Sequence, residues 1–288
     1  MNEIIEQILA GFGVVVIVAV VILVCATIPR IRRYLPALTQ YRHLLSSLVA
    51  RDLKVKYRRS ALGVAWSVIN PLFMMLIVTF VFSQVFRIQV ENYPIFYLTG
   101  SIVYTFVNEA TATSMNSIIS NAGLIKKVYI PKYLFPLQAC ITAAVNASLS
   151  LVAVAIVFAV LQAPLHLTLF LTPVPLLFAG VFSLGLGLIL SALVVYFRDI
   201  AHIYGIWCLA WFYITPILYP LSILPDFAQT ILLFNPLVHF VDYSRAVMLE
   251  GVVPGLQENL ICLGFALSTL TIGILVFKKA QEKFILYL

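Results

Sequence analysis

Residues 134–161 read LFPLQACITAAVNASLSLVAVAIVFAVL, a stretch without one charged side chain. A helix needs about 20 apolar residues to cross the roughly 30 Å of hydrocarbon in a bilayer. Similar stretches recur along the chain, which is 62% apolar and only 10% charged, with a mean hydropathy of +1.06. This composition excludes an ordinary soluble enzyme, a disordered tail and a disulfide scaffold. The sequence therefore predicts an all-α integral membrane protein, a polytopic helical bundle.

Seven segments are long and apolar enough to be membrane spans. Strands of about ten alternating residues, typical of an outer-membrane barrel, do not occur in the sequence, and helices satisfy their own backbone in lipid. The predicted spans are residues 8–28, 62–86, 95–119, 134–161, 168–196, 200–219 and 258–277. The chain begins with acidic residues and no cleavage motif follows the first apolar run, which indicates a retained span rather than a signal peptide.

The charges are distributed unevenly between the two sides of these spans. The formal net charge is +7, and all 18 Lys and Arg residues except Arg87 and Arg245 fall on one common side. The positive-inside rule predicts that this side is cytoplasmic, with the N-terminus outside and the C-terminus in the cytoplasm of a bacterial inner membrane. Because the basic residues follow the membrane sides, we expect no nucleic-acid partner.

Residues 41–59 predict an amphipathic helix on the cytoplasmic side. Apolar side chains recur every four residues from Tyr41 to Tyr57, whereas the basic side chains fall largely on another face. Such a helix is suited to lie along the lipid headgroups. It is either a shoulder that also contacts a cytoplasmic partner or a plain lipid anchor.

Three motifs together resemble the membrane subunits of type-2 ABC exporters that move polysaccharides and teichoic acids. They are RDLKVKYRRSALGVAWSVINPL at 51–72, NAGLIKKVYIPKYLFPL at 121–137 and VYFRDI at 195–200. The resemblance implies a six-span permease core over residues 61–288, preceded by the interfacial helix at 34–60 and by one extra N-terminal span at 1–33. It also implies a homodimer that works with two copies of a separate ATPase subunit.

The loop between the third and fourth spans of this chain resembles the coupling helix of this family, which docks into the ATPase. Pro131 limits residues 124–129 to one or two helical turns, and a positive-inside anchor is the alternative interpretation. The expected coupling residues are Leu124, Ile125, Lys126, Lys127, Val128, Tyr129, Ile130, Arg51, Asp52, Arg198 and Asp199. For Arg198 and Asp199 a simple helix-end anchor is the alternative. The sequence has no GxxxxGK[ST] phosphate loop, so we expect ATP and Mg²⁺ to bind the partner. For this chain we expect no cofactor, no metal site and no catalytic residue.

Residues 214–257 are too polar and too rich in proline to form a span. The prolines divide this region into short apolar pieces, which predict re-entrant or interfacial helices at about 225–234 and 237–249. The resemblance implies that this pair forms the outer gate of a channel.

Polar and aromatic side chains inside the spans are the candidates for a substrate path. Glu109 is a rare intramembrane charge, and Thr113, Asn116 and Ser120 follow it on one helical face. This stripe either joins helices by hydrogen bonds or lines a path. Aromatic rings stack on sugars but also form interfacial belts. The candidate channel residues are Trp66, Tyr104, Glu109, Trp207, Trp211, Tyr213 and Tyr219, with the belt interpretation favoured for Trp66 and Tyr219.

The sequence therefore predicts a permease subunit that exports a lipid-linked polysaccharide, such as O-antigen, capsule or a teichoic-acid-like polymer. Two alternatives stay open at this point. One is an ion-coupled secondary transporter that uses Glu109, and the other is export of a smaller lipid or drug by a type-2 ABC system. The expected partners are the ATPase, a second copy of the chain, membrane lipids and the glycan.

Overall fold

The computed structural model describes residues 40–58, 60, 62–87 and 90–287, without the side chain of Ile285. The predicted N-terminal span at 8–28 lies outside the described residues. Within the described ranges the chain is helical and has no β-strand. The α-helices of these ranges are α1 (Arg42–Tyr57), α2 (Trp66–Thr79), α3 (Tyr93–Ser120), α4 (Ala122–Ile125), α5 (Leu134–Leu161), α6 (Pro173–Tyr196), α7 (Ile200–Ile214), α8 (Asp226–Leu232), α9 (Pro236–Arg245), α10 (Leu256–Ala280) and α11 (Phe284–Tyr287).

Four helical segments of the described chain are long and apolar enough to cross a membrane. Three of them extend an α-helix by a 3₁₀ or π turn. The segments are Gly63–Val85, Leu134–Leu161, Leu167–Tyr196 and Leu256–Lys283. They coincide with the predicted spans at 62–86, 134–161, 168–196 and 258–277, because each is an unbroken apolar run between polar or proline-rich boundaries.

The other two predicted spans within the described ranges, 95–119 and 200–219, are not among these four apolar segments. Helix α3 has 28 residues and extends over about 42 Å, but it carries Glu109 and many hydroxyl side chains. Helix α7 has only 15 residues and ends at Ile214, because Thr215 is extended and precedes Pro216. The prediction that this helix continues to residue 219 is therefore wrong, since a proline restricts the residue before it to extended conformations.

The centre of the bundle is α3, which packs against α5 and α6 along most of its length. Helix α10 packs on the other side of α6. Gly185 and Gly273 form the crossing point of α6 and α10, because a Cβ atom on either glycine would collide with backbone atoms of the opposite helix. Such small-residue contacts let membrane helices approach closely, which strengthens the van der Waals attraction between them.

Within the described residues, the basic segments at 42–58, 126–132 and 278–283 meet at one end of the bundle, which we call the basic end. There Lys132 Nζ donates a hydrogen bond of 2.6 Å to the carbonyl of Gln281. Tyr196 donates one of 2.7 Å to the carbonyl of Ala280. Burial lowers the pKa of Lys132 from its ordinary value. Leu48 of α1 is buried in the apolar cluster at this end, so the amphipathic helix is packed against the bundle.

At the opposite end, α8 and α9 occupy the predicted helical regions 225–234 and 237–249. Helix α9 is shorter than its predicted range, although a π-helical turn over Ala246–Glu250 continues it. Asn235 caps α9 by accepting a hydrogen bond from the backbone of Leu237 at 3.1 Å, and such capping fixes a helix start. The guanidinium of Arg245 lies 3.6 Å from the Phe96 ring centroid, so α9 is fixed to α3.

Candidate substrate path and coupling surface

A cavity of about 450 Å³ lies between α1, α2, α3, α5 and α7, and we call it the polar cavity. Aromatic and polar side chains supply most of its wall. The aromatic ones are Tyr57, Trp66, Tyr97, Tyr104, Phe106 and Phe212, and the polar ones are Lys56, Ser67, Asn70, Ser101, Thr105, Glu109, Asn146 and Ser150. Aromatic faces beside hydrogen-bonding groups are suited to sugars, whose rings have apolar faces and polar edges.

An ion pair closes the cavity on the side of α1. Lys56 Nζ lies 2.6 Å from Glu109 Oε1, and Asn146 Nδ2 donates a hydrogen bond of 2.6 Å to the same oxygen. Tyr57 donates to Asn146 Oδ1 at 3.0 Å and is also hydrogen-bonded to Ser67. A charge within a membrane protein is costly unless it is paired. Glu109 is paired, and its network joins α1, α2, α3 and α5.

The stripe predicted from Glu109 to Ser120 lies on an exposed face of α3. Thr113, Asn116 and Ser120 are exposed, and each side chain donates to a backbone carbonyl one turn earlier in α3. Glu109 therefore has the helix-joining role that was left open, whereas the other three residues bond only to their own helix within the described part of the chain. Their polar atoms face outward from the subunit.

The polar cavity and this stripe form one continuous line along α3. Tyr97, Ser101 and Thr105 line the cavity and precede Glu109 at steps of four residues, so they form a line that turns by about 40° around the helix at each step. From Tyr97 to Ser120 the line covers about 34 Å, close to the thickness of the hydrocarbon core. We call this line the α3 polar face. It reaches from the basic end of α3 toward the opposite end.

Two of the predicted channel aromatics line the cavity. Trp66 is exposed at its edge. Tyr104 is buried and donates a hydrogen bond of 2.5 Å to the carbonyl of Cys208 in α7, and its ring lies 5.0 Å from that of Phe212. Tyr104 therefore fixes α7 against α3 while contributing ring surface to the cavity.

The other four predicted aromatics do not line this cavity. Trp211 is buried, packs edge-on against Phe182 and donates a hydrogen bond of 2.8 Å to Asn235. Trp207 and Tyr213 are exposed on α7. Tyr219 donates a hydrogen bond of 2.8 Å to the carbonyl of Tyr213. The structure thus divides this group into one packing residue, Trp211, and three residues at the surface or near it.

Sequence reasoning missed much of the cavity wall. Asn146 was the clearest missed signal, because it is one of two amides inside the charge-free stretch 134–161, where polar groups need a partner. Lys56 and Tyr57 were predicted only as parts of the amphipathic helix. Tyr97 and Ser101 continue the four-residue spacing of Glu109 toward the start of α3. This spacing could therefore have predicted that they belong to the cavity wall.

The predicted coupling segment forms an exposed surface at the basic end. The structure has a short helix, α4, over Ala122–Ile125, followed by a turn in which Val128 N donates to Leu124 O at 3.0 Å. The helix therefore begins two residues earlier than predicted. Lys126, Lys127 and Val128 are exposed, Tyr129 is 95% exposed, Leu124 is half-buried, and Ile125 and Ile130 are buried.

The other four predicted coupling residues have two different environments. Arg51 forms an ion pair with Asp52 at 2.9 Å and donates to Asn121 Oδ1 at 3.1 Å. Gln138 donates to the other oxygen of Asp52 at 2.6 Å. This pair therefore ties α1 to α3 and α5. Arg198 and Asp199, in contrast, are exposed between α6 and α7.

Comparison with known proteins identifies several relatives. The model of a family described as ABC-2 type transporter matches residues 43–249. The chain is 33% identical to the O-antigen export system permease protein RfbA of Myxococcus xanthus, over 88% of this chain and 98% of that protein. A protein of the same name from Klebsiella pneumoniae is 31% identical, over 84% and 93%. The polysialic acid transport protein KpsM of Escherichia coli is 26% identical, over 83% and 93%.

Proposed function

Because the chain belongs to the ABC-2 type transporter family, we propose that it is the permease subunit of an ATP-driven exporter that moves a lipid-linked polysaccharide out across the cytoplasmic membrane. The observation that carries this proposal is the α3 polar face. Tyr97 and Ser101 are buried in the cavity wall, and from Thr105 to Ser120 the helix exposes hydroxyl and amide groups over about 22 Å. Such a face is suited to a polar environment rather than to lipid. A hydrated sugar polymer moving past these groups and the aromatic cavity wall would supply that environment.

The exposed half of the α3 polar face supports a homodimer. Thr113, Asn116 and Ser120 are exposed in the single subunit, and lipid offers no partner for the hydrogen-bonding capacity that their own helix leaves unused. A second copy that faces the first would enclose these groups in a shared path between the subunits. The polymer would then pass along two opposed polar faces, and a continuous path suits a substrate longer than the bilayer is thick.

The segment from Lys126 to Tyr129 is the proposed docking surface for a separate ATPase. It projects at the basic end, which we assign to the cytoplasm by the positive-inside rule. Ile125 and Ile130 on its two flanks are buried in the core. A push on the exposed part would therefore be transmitted through the two buried flanks to α3 and α5. These are helices that wall the polar cavity, so closure of the ATPase pair would widen the path.

The family favours this function over ion-coupled transport. Glu109 was the residue on which the ion-coupled alternative depended, and both Lys56 and Asn146 already bind its carboxylate. Export of a smaller lipid or drug would not need a polar face along the whole length of α3. The named relatives export or transport O-antigen and polysialic acid, which supports a polysaccharide as the substrate.

Affinity purification from native membranes tests the ATPase partner. We expect an ATPase with a phosphate-binding loop to co-purify with the wild-type protein and intracellular polysaccharide to accumulate when the protein is depleted. The variant Lys126→Glu/Lys127→Glu should insert normally but lose the ATPase and export. Lys278→Glu/Lys279→Glu is the matched control, since these exposed residues of α10 lie outside the docking surface. Normal export by the first variant would reject the docking assignment.

A further inference from the structure

A second, open groove of about 450 Å³ lies on the outer side of α1. We call it the α1 groove. Its wall is mainly apolar and comes from α1, from the turn that precedes α2 and from α5. The lining residues are Leu53, Lys54, Tyr57, Arg58, Val64 and Leu149.

The basic residues of α1 divide into two sets. Arg51 and Lys56 are bound inside the subunit, to Asp52 with Asn121 and to Glu109 respectively. Lys54 and Arg58 are exposed and both line the α1 groove. Within the described part of the chain, no side-chain hydrogen bond or ion pair involves either of them. They lie one helical turn apart on the same face, so one anionic group can contact both.

Tyr57 separates the α1 groove from the polar cavity. Its side chain lines both, and its hydroxyl is held by Ser67 and Asn146 on the cavity side. On that side the nearest cation is its neighbour Lys56, which also lines the cavity. The two spaces are therefore adjacent, with one aromatic ring as their shared wall and cations on both sides of it.

We propose that the α1 groove binds the phosphate-bearing end of the lipid to which the exported polymer is attached. The proposal rests on the proposed export function. Lys54 and Arg58 would bind the phosphate oxygens, while Leu53, Val64 and Leu149 contact the hydrocarbon chain. Because the groove adjoins the polar cavity, a lipid held there has its attached polymer next to the path. Only a lipid that carries the polymer connects the groove with the polar cavity, whereas an ordinary phospholipid does not, so the groove is assigned to the substrate lipid.

A binding measurement on the full-length protein in nanodiscs, purified with the ATPase that accompanies it, tests the assignment. The probe is farnesyl diphosphate, a prenyl chain with a phosphate end, and native mass spectrometry gives its affinity. Two cations near a lipid phosphate contribute about 1 kcal/mol each, so Lys54→Gln/Arg58→Gln should bind about thirty-fold more weakly than wild type. Arg42→Gln/Lys279→Gln removes the same charge from exposed positions outside the groove and should bind the probe as the wild type does.

Three results would overturn the assignment. One is equal loss of binding in both double variants, which would indicate a general charge effect. Another is displacement of the probe by an equal concentration of phosphatidylglycerol, which would assign the groove to bulk lipid. A third is unchanged probe binding by Lys54→Gln/Arg58→Gln together with loss of the ATPase, which would make the groove a protein contact. If the groove binds the probe as expected but depleted cells accumulate no polysaccharide, the groove stands only as a site for a prenyl phosphate, and the export function fails.

Discussion

Removal of the Lys56 ammonium group should destabilise the protein, because the charge of Glu109 then loses its ionic partner. In the variant Lys56→Met the side chain keeps its length but loses its ammonium group, so the Glu109 carboxylate retains only Asn146 as a described partner. The pair has a separation of 2.6 Å, with 45% and 25% of the two side chains exposed. It is therefore intermediate between a surface pair and a buried one.

The expected loss of stability follows from that intermediate exposure. An exposed ion pair contributes up to about 1 kcal/mol, and removal of one partner from a buried pair costs about 3 to 5 kcal/mol. For Lys56→Met we expect a loss of about 2 kcal/mol. Proteins of roughly this size lose about 2 to 4 °C of Tm per kcal/mol, so the apparent Tm should fall by about 4 to 8 °C.

Purified variants heated in detergent, with the monodisperse fraction measured by size-exclusion chromatography, provide the assay. Arg42→Met is the matched control, because Arg42 is an exposed cation on the same helix. Lys56→Met/Glu109→Gln should recover at least half of the loss, since the amide that replaces the carboxylate is uncharged and its carbonyl still accepts from Asn146. A Tm for Lys56→Met equal to that of Arg42→Met would refute this reasoning. So would a double variant less stable than the single one.

Three further predictions concern helix packing, α7 and the α3 polar face. Gly273→Leu should abolish monodisperse protein, because the new side chain would collide with the backbone of α6. Gly205→Ala is the control, since there is open space around its Cβ, and it should change stability by no more than about 1 kcal/mol. Equal yields of the two variants would disprove the crossing of α6 and α10 at this glycine. Trp211→Ala should cost about 3 to 5 kcal/mol and Trp207→Ala much less, as thermal unfolding would measure; the reverse order would contradict the assigned packing. Asn116→Leu should reduce polysaccharide export in cells without loss of the ATPase, and undiminished export would remove this position from the path.

Four spans of this fold could be predicted closely from local sequence. The helix predicted at 134–161 is observed at Leu134–Leu161, because the apolar run has polar residues at both ends and hydrophobicity alone fixes it. The end of α7 could also have been predicted from Pro216. The residues that determine these helix ends lie within a few positions of them.

The candidate site was less accessible to sequence reasoning, because its contacts join distant parts of the chain. Nothing near Glu109 identifies Lys56 as its partner, since the two meet only when α1 packs beside α3. Trp211 illustrates the same limit. Its spacing from Trp207 suggested a shared face, but the hydrogen bond to Asn235 depends on how the α8–α9 connection folds back. The four-residue spacing along α3 was local information, and it correctly predicted a polar stripe from Glu109 to Ser120.

Site-specific photo-crosslinking to the polymer during export tests the central claim most directly. A photoreactive amino acid would replace Asn116 on the α3 polar face and, as a control, Leu177, an exposed apolar residue of α6. Antibody or lectin detection would then identify glycan attached to the protein. The account predicts glycan at position 116, dependent on ATP hydrolysis, and none at position 177. Equal labelling at both positions, or none at position 116 while export continues, would contradict a polysaccharide path along α3.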